Sequence, residues 1–65
     1  MLLNAPTIED LAQENKSYQH FIENYKIMAM RQNSTKVKDF TEYRILELEK
    51  AIDKNLEKIT ELKGI

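Results

Sequence analysis

A chain of 65 residues holds one domain at most and buries little apolar surface unless something staples it. It has no cysteine and a single histidine, which excludes a disulfide framework and a structural zinc site of the usual ligand set. Ten Lys and Arg against eleven Asp and Glu give a net charge of -1, unsuited to coating nucleic acid or anionic membrane.

Met1 to Pro6 reads as an arm, because Pro6 disfavours helix at the residue before it. Leu2 and Leu3 are apolar enough to pack. The opening Met1-Leu2-Leu3 is too short and uncharged for a secretory signal, and no apolar run reaches the roughly 20 residues of a membrane span. A cytoplasmic protein without membrane contact is expected. Thr7 is placed to cap a helix, with Asp10 three residues on completing a capping box. The first helix is predicted over 8–31. Ile8, Leu11, Asn15, Tyr18, Ile22, Tyr25 and Ala29 recur at three- and four-residue steps and form its core stripe, widened by Ala12, Phe21 and Met28. Asn15 is the polar member. It either fixes the register of a helical seam or lies in solvent where the stripe drifts.

Gln32, Asn33, Ser34 and Thr35 are poor helix propagators, so 32–35 is predicted as the turn, with Asn33 suited to a left-handed cap. Ser34 or Thr35 can cap a second helix over 36–63, although Asp39 with Glu42 forms another capping box that would delay the start to Phe40. The segment FTEYRILELEKAIDKNLEKITEL contains neither Pro nor Gly. Ile45, Leu48, Ile52, Ile59 and Leu62 line one face of it, with Asn55 as the polar break. Gly64 is the expected left-handed residue beyond the helix, with Ile65 folding back onto Ile59. A short connection between two long helices predicts an all-α antiparallel hairpin.

A hairpin needs one apolar stripe per helix, and this chain has more. Ile27, Met28, Ala29 and Met30 are consecutive and therefore point all round the helix, while Phe40, Tyr43 and Leu46 lie off the Ile45–Leu48–Ile52 stripe. The surplus at Ile27, Met30, Phe40, Tyr43 and Leu46 is the predicted partner-binding group. Self-association into a helical bundle, most simply a four-helix dimer, would cover it, as would another protein. Glu49, Asp53, Glu57 and Glu61 form one charged row on the second helix and Lys50, Lys54 and Lys58 the adjacent one. This is either a solvated face laced by three-residue ion pairs or a set of rows that pair across an oligomer and orient it.

No motif supports catalysis. His20 falls on the outer face of the first helix with no nucleophile at helical spacing, and the carboxylate pairs lie on exposed faces without a pocket. No catalytic residue, metal or cofactor is expected. A phosphorylated ligand or nucleotide is a separate possibility, because Tyr18, Phe21, Tyr25, Phe40 and Tyr43 can stack a base while Lys26, Arg31, Lys36, Lys38 and Arg44 can hold an anion. Small phage-encoded hairpins that oligomerise and sequester signalling nucleotides are similar in size and build, with no shared motif. The segment TIEDLAQENKSYQHFI resembles the first helix and turn of a bacterial helix-turn-helix at Thr7, Ile8, Leu11, Ala12 and Ile22, which would imply a DNA-binding regulator. It departs from that pattern where Lys16 replaces the turn glycine and Ser17-Tyr18 the usual Val-Ser. The expectation is therefore a small non-catalytic inhibitor, adaptor or regulator that homo-oligomerises and binds another macromolecule.

Overall fold

The computed structural model describes residues 5–32 and 34–64. Helix α1 runs Ile8–Arg31 and helix α2 Thr35–Leu62, packed against each other as an antiparallel hairpin. The capping box forms in full: the Thr7 hydroxyl accepts from the Asp10 N–H at 3.1 Å, and the Asp10 carboxylate accepts from the Thr7 N–H at 3.1 Å. Two otherwise orphaned donors are satisfied, and Glu9 and Asp10 place negative charge at the positive pole of α1. Thr7→Ala should lower stability by about 1 kcal/mol, read as a shifted urea midpoint with an unchanged slope; an unmoved midpoint would mean that the box adds nothing.

The second helix lies one residue earlier than its predicted span of 36–63. Thr35 is already helical, because Ser34 takes the extended N-cap conformation and its carbonyl accepts from the Lys38 N–H at 3.1 Å. The Ser34 hydroxyl makes no cap hydrogen bond, and the Asp39–Glu42 box is bypassed because the helix is already running there. At the far end Lys63 is the cap rather than a helical residue. Gly64 has φ 78° and donates to the Glu61 carbonyl at 3.0 Å, the inner hydrogen bond of a Schellman close, in a conformation that costs a side chain more than it costs glycine. Gln32 ends α1 in an extended conformation and donates to the Met28 carbonyl at 3.1 Å. The expected packing of Leu2 and Leu3, the left-handed cap at Asn33 and the return of Ile65 onto Ile59 lie outside the described residues.

The seam is the predicted one along most of its length. Leu11, Asn15 and Ile22 are buried from α1, with Tyr18, Tyr25 and Ala29 half-buried; Ile45, Leu48, Ile52, Asn55 and Ile59 are half-buried from α2. It opens at its free end, where Ile8 and Leu62 are exposed. Ala12, Phe21 and Met28, expected to widen the core, are exposed as well. Two cylinders touch along a line, so side chains well off the contact direction find no partner within one hairpin. Thr41 is the most buried residue described, at 1% exposure. Its hydroxyl donates to the Lys38 carbonyl at 2.9 Å, leaving a small, internally satisfied side chain against α1.

Asn15 lies in the seam rather than in solvent. The Asn55 amide nitrogen donates to the Asn15 carbonyl oxygen at 2.9 Å and to a Glu14 carboxylate oxygen at 2.8 Å. The two polar breaks thus meet each other across the helices, and neither leaves a buried group unpaired.

The hairpin is a rod of 47 × 25 × 16 Å with a radius of gyration of 15.1 Å, against about 10.7 Å for a compact globule of this length. Its accessible surface is 5558 Å², whereas a compact monomer of this mass would expose about 4,300 Å². The buried apolar side chains among the described residues are Leu11 and Ile22 alone. A single layer of two helices has no second layer to close a core against.

Candidate interaction surface

Tyr18, Phe21, Tyr25 and Met28 follow one another at three- and four-residue steps on one flank of α1, and Tyr25 reaches α2. Its ring meets Phe40 edge-to-face, with centroids 6.2 Å apart and planes at 74°. The Arg44 guanidinium lies 6.0 Å from the centre of the Tyr25 ring, and its Nε donates to the Tyr25 hydroxyl at 3.3 Å. Arg44 also donates to Glu47 at 3.2 Å, the one salt bridge among the described residues, and the Tyr43 hydroxyl donates to the other Glu47 oxygen at 3.0 Å. This network joins the two helices through Tyr25 and Arg44 and holds the aromatic rings in place. Its electrostatics follow from the contacts: the hydrogen bond to Glu47 and then that carboxylate's charge raise the Tyr43 pKa, and the hydrogen bond to Tyr25 raises that of Arg44.

All five members of the predicted apolar group are exposed: Ile27 46%, Met30 82%, Phe40 52%, Tyr43 60% and Leu46 51%. They do not form one patch. Phe40 and Tyr43 belong to the aromatic flank with Phe21 and Met28, which sequence reasoning had assigned to the core. Met30 lies beyond the seam on the other side, in a shallow groove with Lys26, Ala29, Lys38, Thr41 and Ile45. Ile27 shares a surface depression with Asn24, Met28, Arg31 and Gln32. Leu46 sits on the outer side of α2, and Leu56, which the sequence reading did not single out, is half exposed on the Met30 side of the seam.

The five candidate cations are dispersed in the same way. Lys26 and Lys38 flank the Met30 groove, Arg31 lies beside Ile27, Lys36 is exposed in the first turn of α2, and Arg44 is engaged by Glu47 and Tyr25. The stacking residues thus gather on one flank while most of the positive charge is elsewhere. His20 is exposed, as expected, and no cluster of metal-ligating side chains occurs among the described residues. Helix α1 is unbroken from Ile8 to Arg31, so the turn that a helix-turn-helix would require near Lys16 is absent. Neither helix is long and apolar enough to cross a membrane. Comparisons with protein families, with curated proteins and with solved structures find no significant match to the chain.

Proposed function

We propose that this protein is a small non-catalytic interaction protein, an inhibitor, adaptor or regulator of the cytoplasm, that homo-oligomerises and occupies a site on another protein. The observation that carries the reading is the apolar surface left on more than one side of the hairpin: Phe21, Phe40 and Tyr43 on one flank, Met30 beyond the seam, and Ile27 and Leu46 on the outer sides. One partner surface cannot cover all of these at once, which supports self-association through part of the surface and binding of a different molecule through the rest. Exposed aromatic and methionine side chains are enriched at protein interfaces.

Sequestration of a phosphorylated ligand has less support, because Arg44 is already neutralised and the other cations are dispersed. Nucleic-acid binding through a helix-turn-helix has no support from the unbroken first helix. Sedimentation at micromolar concentration should give a species larger than 7.7 kDa. Native mass spectrometry of the protein from lysate should retain a protein partner that Met30→Asp releases and that Arg31→Glu leaves bound. An affinity that collapses between low and physiological salt, with Met30→Asp behaving as wild type, would transfer the reading to a phosphorylated ligand or nucleic acid.

A further inference from the structure

The aromatic flank has two unlike halves. Toward the turn it carries Phe21, Met28, Phe40 and Tyr43, between 42% and 60% exposed, around an Arg44 and a Glu47 that already pair with each other. Toward the open end the same stripes continue into charge. On α1 the steps back from Phe21 reach Glu14 and Asp10; on α2 the steps forward from Glu47 pass Ala51 and reach Lys54 and Lys58. These four charged side chains border one groove, acids on the α1 wall and lysines on the α2 wall. No ion pair among the described residues engages either lysine.

We infer that a second copy of this chain occupies this flank, related by a two-fold axis that runs parallel to the helices, so that α1 of each hairpin lies on α2 of the other and both turns stand at the same end. The inference rests on the homo-oligomer proposed above and specifies its face and its direction. Two-fold symmetry offers two ways of laying this flank on its own copy. With the axis parallel to the helices, Asp10 and Glu14 of one hairpin face Lys54 and Lys58 of the partner hairpin, and the aromatic half of one meets the aromatic half of the other. With the axis perpendicular, α1 lies on α1 and the turns are at opposite ends; Asp10 and Glu14 then lie against Phe21 and Met28, and the lysines against the half of α2 where Glu47 is already engaged by Arg44 and Tyr43. Charge complementarity selects the first arrangement.

A specific dimer buries about 800 Å² on each partner, and the rod's total surface exceeds that of a compact chain of its mass by on the order of 1,200 Å², so association has exposed surface to remove. In the resulting bundle every helix has two antiparallel neighbours, the arrangement that four-helix bundles use to close a core. The Tyr25–Arg44–Glu47–Tyr43 network then holds aromatic side chains ready at the interface, so less side-chain freedom is lost on association.

The test is a distance measured between turns. Ser34 caps α2 without a side-chain hydrogen bond, so Ser34→Cys provides a single attachment point for a nitroxide in a chain that has no cysteine. With sedimentation showing a dimer, the parallel axis places the two labels within about 25 Å, since packed helices lie about 10 Å apart. A dimer with labels separated by nearly the 47 Å length of the rod overturns the arrangement while leaving the homo-oligomer standing. A 7.7 kDa monomer overturns both. Phe21→Asp should also raise the dimer dissociation constant roughly thirtyfold or more, whereas Leu46→Asp on the outer side of α2 should leave it unchanged. The reverse ranking would move the interface to another face.

Discussion

Replacing Ile22 with aspartate should abolish the helical circular-dichroism signal, because it puts a carboxylate at one of the two buried apolar positions among the described residues. The charged residues that share a surface depression with Ile22 are Glu49 and Asp53, and an unpaired charge in an apolar seam costs several kcal/mol, comparable with the whole stability of a small domain. Ile52→Asp, from the facing helix, should act in the same direction but less completely, since Ile52 is only half-buried. Glu57→Ala, on the exposed side of α2, should leave the signal unchanged. Equal helicity in all three would show that the fold does not depend on this seam.

The second large effect concerns the asparagine pair. Asn55→Leu alone removes the donor that satisfies the buried Asn15 carbonyl, and an orphaned buried acceptor costs about 1–3 kcal/mol. Asn15→Leu should cost less, because the half-buried Asn55 amide keeps its hydrogen bond to Glu14. The double variant removes both polar groups from the seam and should recover the loss or exceed the parent's stability, at the expense of a less uniquely aligned hairpin. Melting temperatures give the energetic cycle, and the dispersion of amide resonances reports alignment. If the double variant is destabilised by the sum of the single losses, the two asparagines act independently and the pairing carries no specificity.

The parts of this fold that were legible in the sequence are those set by local chemistry and by period. Thr7 and Asp10 announced the start of α1, Gly64 the close of α2, and the three-and-four stepping of Leu11, Tyr18, Ile22, Ile45, Leu48 and Ile52 the seam. Thr41 was passed over because a hydroxyl reads as polar, although it stands four residues before Ile45 on the same stripe. The signal was present: a small β-branched side chain whose hydroxyl can return to its own helix behaves as an apolar seam residue. Phe21 and Met28 were assigned to the core because period alone marks which residues share a face, not how wide a strip a single neighbouring helix can cover. The candidate cations were grouped by closeness in sequence around the turn, and the rotation of each helix then separated them.

The two bridges between the helices also differ in how much chain each must close. Arg44 and Tyr25 are 19 residues apart, whereas Asn15 and Asn55 are 40 apart. Doubling a loop adds only about 0.6 kcal/mol of closure entropy, yet contacts near the turn are both cheaper and sooner met. A hairpin that pairs outward from its turn forms the Arg44–Tyr25 bridge before the Asn15–Asn55 one, with Leu11 and Ile59 still to pack beyond the asparagines. A pairing slipped by one turn of helix can gain most of its apolar contacts on the way, but it ends with Asn15 against an isoleucine and its amide unsatisfied. A misaligned pairing thus meets an unsatisfied amide before its open end has packed, which favours reopening over completion.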